Sequence, residues 1–192
     1  FILDFETIGQ NSFTCAIVDV AYPVFDWGKF LEEPYSLEEL VSMVKTDKLS
    51  VKDQVSRGYT FKQSDLDWWE KQSPEARANL KPKDTDLTIE EFSDSIFEYL
   101  REVGKIKYWW SRGNTFDPVI LERVMFDLGK HYMMNEYLAW WRVRDIRTYI
   151  DAKFNFETRN GFVPVSDEEY WNANFVGHDS RHDVAADILR LQ

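Results

Sequence analysis

The stretch that decides the fold is FILDFETIGQ, residues 1–10. Phe1, Ile2, Leu3 and Phe5 form an apolar run of the kind carried by a central strand covered on both faces. Side chains alternate along a strand, so Asp4 and Glu6 point to the same side. Two carboxylates held close together where water is scarce either take up a proton or demand a cation between them. The stretch therefore reads as a core strand that carries either a fault in its pattern, a buried hydrogen-bonded acid pair, or a metal site.

Downstream, Phe13 to Phe25 (FTCAIVDVAYPVF) is rich in β-branched and aromatic residues and reads as strand, with Pro23 marking an edge or bulge. A third strand is expected near Trp27 to Leu31. Leu37 to Lys52 has helical spacing at Leu37, Leu40, Val41 and Val44, with a strand near Leu49 to Val51 as the alternative. In SDLDWWEKQSPEARANL, Ser64 followed by Asp67 predicts a helix start, and a second short helix is expected near Pro74. Thr88 to Arg101 is the clearest amphipathic helix. Thr88 is its cap, Glu91 sits at the capping-box position, and Ile89, Phe92, Ile96 and Leu100 form one stripe. KIKYWWSR reads as strand, and NTFDPVILERVMFDLG as a loop entering a helix that Gly129 ends. Trp140 to Ile146 reads as strand, followed by a helix through Lys153, and Ser180 to Gln192 as a final helix. Three early strands followed by alternating helices and strands describe a mixed α/β sheet, compatible with a ribonuclease-H-like layer architecture.

The 192 residues, 44% apolar and 16% aromatic, are ample for the core of one domain spanning 1–192. No run of about 18 apolar residues and no signal-peptide pattern occur, so neither membrane insertion nor export is expected. The chain opens on Phe1 rather than Met, and a few upstream residues are expected. The only cysteine, Cys15, lies in an apolar run and suits a buried, inert thiol in a reducing, cytoplasmic setting. A net charge of −11, from 23 basic and 34 acidic residues, argues against a broad basic surface for passive nucleic-acid binding. It does not exclude a nuclease whose positive charge resides on bound divalent ions.

Three places set acids against an apolar pattern: Asp4 with Glu6, Asp117 in NTFDPVIL, and Asp183 in GHDSRHDVAADI. Strand ends and helix starts of an α/β sheet can bring these to one rim as a single cluster. Carboxylates without cysteine ligands favour Mg²⁺ or Mn²⁺ over structural zinc. The set D-x-E (Asp4, Glu6), N-x-F-D (Asn114, Phe116, Asp117) and H-x-x-x-x-D (His178, Asp183), in that order, resembles the DEDD superfamily of 3′-5′ exonucleases, histidine subclass. WWEKQSPEAR at Trp68 to Arg77, RDIRT at Arg144 to Thr148, and HDSRHDVAADI at His178 to Ile188 are similar to its phage exonuclease A and ribonuclease-T-like group. The resemblance runs nearly the length of the chain.

That resemblance implies a ribonuclease-H-like mixed sheet of about five strands flanked by helices. It also implies an exonuclease that removes 5′-mononucleotides from the 3′ end of single-stranded DNA. An exoribonuclease of the same fold is the alternative, and a non-catalytic nucleic-acid-binding module a further one. Two divalent ions, Mg²⁺ or Mn²⁺, are implied, with Asp4 bridging both, Glu6 and Asp183 completing one site, and Asp117 supporting the second. His178 is the implied general base, and the 3′-OH is bound by Glu6 and the backbone of Thr7. Phe5, Phe116 and Asn114 are expected to contact substrate, with core packing the equal alternative for the two phenylalanines. A phage-encoded chain of this group would work in the host cytoplasm.

The motif H-x-x-x-x-D occurs twice, as His178 with Asp183 and as His182 with Asp187. Residues five apart on one helix are separated by about 140° around its axis, which disfavours the second pair. His178 follows Gly177, before the helix proper, where the chain can fold it over the site. Asp187 shares a face with Asp183 and is expected to be a supporting or surface acid, and Asp145 to cap a helix. Trp68 and Trp69 are expected in the core, with base stacking as the alternative, and His131 at the surface or in the core. Arg57, Lys62 and Arg112 are candidate phosphate ligands because they lie near motif-bearing loops.

Overall fold

The computed structural model describes residues 1–163 and 175–191. Strands β1 (Asp4–Ile8), β2 (Ala16–Tyr22) and β3 (Lys45–Lys48) form an antiparallel sheet in that order, and β4 (Trp109–Ser111) pairs in parallel with β5 (Val143–Asp145). The two sheets meet where Ile2 bridges Trp110 in parallel. There the Leu3 amide donates to the Trp110 carbonyl at 3.0 Å, and the Trp110 amide to the Phe1 carbonyl at 2.9 Å. The C-terminal ends of β1, β4 and β5 therefore face one rim.

Among the described residues the α-helices, numbered in chain order, are α1 (Trp27–Glu32), α2 (Leu37–Met43), α3 (Val51–Ser56), α4 (Gln63–Trp69), α5 (Pro74–Ala78), α6 (Ile89–Val103), α7 (Asp117–Asp127), α8 (His131–Tyr137), α9 (Ile146–Lys153) and α10 (Ser180–Leu191). None is long and apolar enough to cross a membrane. Alternation along the first strand divides two cores. Phe1, Leu3 and Phe5 pack with Phe92 and Ile96 of α6 and with Ile120 and Val124 of α7. Ile2 lies on the opposite face with Trp110, Ile146 of α9, and Val184 and Ile188 of α10. Asp4 and Glu6 share the side of Ile2, the side on which α10 packs. Cys15 is buried, and burial raises its thiol pKa, as an inert residue requires.

Helix α6 starts as its capping box dictates: Thr88 Oγ1 accepts from the Glu91 amide at 3.2 Å and Glu91 Oε2 from the Thr88 amide at 2.7 Å. Gly129 leaves α7 with a φ of 68°, a left-handed conformation natural to glycine. Other local expectations are corrected. Trp27 to Leu31 is not strand: Asp26 Oδ1 accepts from the Gly28 amide at 2.8 Å, caps α1 and lets Phe30 bury one face of it. The third strand is instead β3, inside the stretch expected as one helix from Leu37 to Lys52. That stretch divides into α2, β3 and α3 because Tyr22 of β2 hydrogen-bonds buried Asp47 across the sheet. Helix α4 begins one residue before Ser64, and Asp65 rather than Asp67 accepts the Lys62 amide, at 2.8 Å. β2 is shorter than expected, with Phe13 exposed. Trp140–Arg142 form a 3₁₀ turn, leaving only Val143–Asp145 as strand. The final helix is described as far as Leu191, and Gln192 lies outside the described residues.

Candidate active site

The rim at the end of β1 gathers the acids. The β1–β2 register slips between Glu6, which faces Asp19, and Thr7, which faces Ile17. Such a slip re-aims side chains and frees backbone groups. Asp117 opens α7 just before Pro118, and its Oδ1 accepts the Phe5 amide at 3.1 Å, fastening α7 to β1 between the two strand acids. Asp183 stands in the first turn of α10, and its Oδ2 accepts the His178 amide at 2.9 Å. His178 occupies the turn before α10 with φ 62°. Its ring meets Trp68 and Trp69 edge-on, at centroid distances of 4.9 and 6.1 Å, and its Nδ1 lies 3.9 Å from Glu6 Oε1. Ligand atoms of Glu6, His178 and Asp183 all lie within 4.8 Å of one another.

The four acids repel one another in a desolvated place. Burial first, then the charges of Asp117, Glu6, Asp183 and Asp187, push the Asp4 carboxyl well above its usual range. Burial and the charges of Asp183 and Asp19 do the same to Glu6. Asp117 is raised by burial to about 7 although the Phe5 amide opposes the rise, and Asp183 is raised by burial and Asp187 to about 7. Among the described residues no lysine or arginine forms an ion pair with any of the four. Hard oxygen donors, mutual repulsion and the lack of a resident cation fit the binding of Mg²⁺ or Mn²⁺ by Asp4, Glu6, Asp117 and Asp183.

Beside the acids lies a cavity of about 420 Å³ whose lining includes Phe5, Glu6, Thr7, Gln10, Trp68 and Phe116. Phe5 is buried and packed T-shaped on Phe92 at 6.0 Å, whereas Phe116 and Trp68 are partly exposed. Trp69 is buried and donates its indole N–H to the Thr7 carbonyl at 3.0 Å. Asn114 does not reach the cavity. Its side chain is exposed and accepts from Ser111 Oγ at 3.4 Å, while its amide donates to Asp145 Oδ2 at 3.0 Å. Asp145 caps α9 as expected, its Oδ1 accepting the Thr148 amide at 2.7 Å. His131 is exposed at the start of α8.

The overlapping H-x-x-x-x-D motifs separate cleanly. His182 Nδ1 accepts the Val176 amide at 3.3 Å, and Asp187 turns to Arg112, whose Nε lies 2.8 Å from both carboxylate oxygens, and to Arg190 Nη1 at 2.9 Å. Arg112 is thus held within the protein, while Arg57 pairs with Asp53 and Glu90 at the surface. Lys62 lines a second, polar depression adjoining the first cavity. The sequence reading missed Asp19, a buried acid opposite Glu6 that burial raises to about 6 while Ser180 hydrogen-bonds it. Its signal was present: AIVDVAY carries an acid within an apolar strand, as the first stretch does.

Residues 1–179 match the model of the 3′-5′ exoribonuclease Rv2179c-like domain, a span that takes in β1, the start of α7 and His178. The chain is also 33% identical, over 207 aligned residues, to the exodeoxyribonuclease of Enterobacteria phage T4, an alignment covering all of this chain and 87% of that protein. With the family model matching residues 1–179 and the T4 alignment covering the whole chain, Asp183 included, the chain belongs to the 3′-5′ exoribonuclease Rv2179c-like domain family and is a 3′-5′ exonuclease.

Proposed function

We propose that the chain is one ribonuclease-H-like domain that hydrolyses single-stranded DNA from its 3′ end, one 5′-mononucleotide at a time, by a two-metal mechanism. The five strands then act as one sheet, in the order β3-β2-β1-β4-β5, through the Ile2–Trp110 bridge. The observation that carries the reading is the convergence of Asp4, Glu6, Asp117 and Asp183 with His178 beside a cavity of nucleotide size.

Asp4, Glu6, Asp117 and Asp183 would hold the divalent cations, which when bound would neutralise charge at the phosphate and acidify the attacking water. His178 takes that water's proton. Burial lowers the pKa of its imidazole, which keeps the ring neutral and able to accept at physiological pH. Water attacks phosphorus in line, and the 3′ oxygen of the preceding nucleotide departs with the shortened strand. Glu6 and the Thr7 backbone hold the terminal 3′-OH, which confines cleavage to the end. Phe116, Trp68 and Phe5 flank the terminal base in the cavity.

DNA is favoured because the T4 relative is an exodeoxyribonuclease, while the family's description supports RNA as the second reading. The discriminating experiment is a time course with Mg²⁺ or Mn²⁺ on 5′-labelled DNA and RNA of one sequence, with EDTA and Asp183→Asn controls. A metal-dependent ladder shortening from the 3′ end on DNA supports the proposal. Faster shortening of RNA reassigns the substrate, and cleavage that survives EDTA overturns the metal mechanism.

A further inference from the structure

Arg147 stands in the first turn of α9, directly after β5. Because β4 pairs in parallel with β5, and Ile2 of the first strand bridges Trp110 of β4 in parallel, the chain segments leaving the rim follow a lateral order. Thr7, Glu6 and Asp4 come from β1, Asp117 from the loop and helix after β4, and Arg147 from the helix after β5.

The backbone of Arg147 is clamped. Asp145 caps α9 while binding the Asn114 amide, which ties the helix to the 112–116 loop. On the other side Gly161, with φ 65°, presses so close that an added Cβ would lie 2.8 Å from the Arg147 Cα. The guanidinium itself rests over Gly113, with Nη1 3.6 Å from the point a Cβ would occupy there. It makes no hydrogen bond or ion pair among the described residues, and the residue is exposed. Its neighbours differ: Arg112 and Arg190 are held by Asp187, Arg181 by Asp179, and Arg123 by the Ser12 and Cys15 carbonyls. In a chain of net charge −11, a guanidinium held by its backbone and with no partner for its tip among the described residues, beside an acid cluster, suits a phosphate, two of whose oxygens the planar fork can take together.

We propose that Arg147 binds the first phosphate on the 5′ side of the scissile one, and so sets the path by which single-stranded substrate crosses the rim. The inference rests on the reading above, in which the 3′-OH lies at Glu6 and Thr7. With the terminus there and the scissile phosphate at the acids, the strand leaves across Asp117 toward α9.

The test is steady-state kinetics of wild type and Arg147→Gln on two oligonucleotides, one natural and one with a neutral methylphosphonate as the second linkage from the 3′ end. On the natural strand the variant should show a KM raised roughly tenfold or more, the worth of a hydrogen bond to a charged group, with little change in kcat. The dependence of log KM on log salt should weaken by about 0.7, one phosphate's share for a single strand. On the methylphosphonate strand wild type and variant should coincide. An unchanged KM on the natural strand overturns the inference, as does an equal penalty on both strands or a collapse in kcat. A 3′-dideoxy end tests the reading beneath it. Wild type indifferent to the missing hydroxyl overturns the placement of the terminus, whereas a wild-type penalty with no Arg147→Gln effect overturns only the role of Arg147.

Discussion

Trp69 donates its indole N–H to the carbonyl of Thr7, at 3.0 Å, where the register of β1 against β2 slips. The indole thereby fixes the conformation of a backbone that, in the proposed binding mode, receives the 3′-OH. Trp69→Phe keeps most of the packing and removes the donor, leaving a carbonyl unsatisfied at a cost of about 1–3 kcal/mol. A lower urea midpoint is expected, together with a KM for oligonucleotide that rises several-fold. Trp68→Phe, at a side chain 43% exposed, should leave the midpoint nearly unchanged. Equal midpoints for the two variants would show that the Thr7 bond carries no weight.

Asp183→Asn separates chemistry from stability. The amide oxygen can still accept the His178 amide, so the turn before α10 keeps its anchor. The like charge facing Glu6 and Asp4 is gone. Hydrolysis should fall to background, and retention of more than a few per cent of activity would sink the ligand assignment. Without metal at pH 8 the variant should melt higher than wild type, by about 2–4 °C for each kcal/mol of repulsion removed. A lower melting point in EDTA would mean that Asp183 serves structure more than metal.

The pH dependence of metal-free stability has a defined sign. Asp117 and Asp183 have native pKa values of about 7, and Asp4 and Glu6 are also raised, so between roughly pH 4 and 7 the folded chain binds more protons than the unfolded one. Stability in EDTA should therefore decline as pH rises through that window. Cations compete with those protons, so the gain in melting temperature from saturating Mn²⁺ should be larger at pH 8 than at pH 5.5. Calorimetric melts across this range check both slopes. A metal-free protein that gains stability from pH 5 to 8 would contradict the clustering of these acids.

What was legible in the sequence was whatever broke a local pattern. Asp4 and Glu6 stood out against Phe1, Leu3 and Phe5, and helix geometry chose His178 with Asp183 over His182 with Asp187. Helix α1 was misread because Trp27, Phe30 and Leu31 favour strands by type, while their spacing of three and four, with Asp26 ahead, favours a helix. Asn114 sits at a motif position, yet the loop turns its side chain toward Ser111. Arg112 lies next to a motif loop, but only the fold reveals Asp187 as its partner. Sequence proximity cannot tell such a committed guanidinium from one, such as Arg147, that has no hydrogen-bond or ion-pair partner among the described residues.

His178 is positioned by packing and backbone, with no acid within hydrogen-bond reach of its ring among the described residues: Glu6 Oε1 stands 3.9 Å from Nδ1, and Trp68 meets the ring edge-on. Its φ of 62° is left-handed, at a cost of roughly 1–2 kcal/mol for a residue with a Cβ. Replacing it therefore changes two things at once, and a pair of variants distinguishes them. His178→Ala and His178→Gly should both slow turnover on the order of 10²–10⁴-fold, the usual worth of a positioned base. His178→Gly should be the more stable of the two in metal-free melts, because glycine adopts this conformation without the Cβ penalty. Burial lowers the wild-type imidazole pKa, so the acid limb of its kcat/KM profile should fall below the ordinary histidine value of 6.5. That limb should be missing from both variants. Loss of activity confined to His178→Ala, with His178→Gly active, would mark the ring as dispensable and the left-handed turn as what the reaction requires.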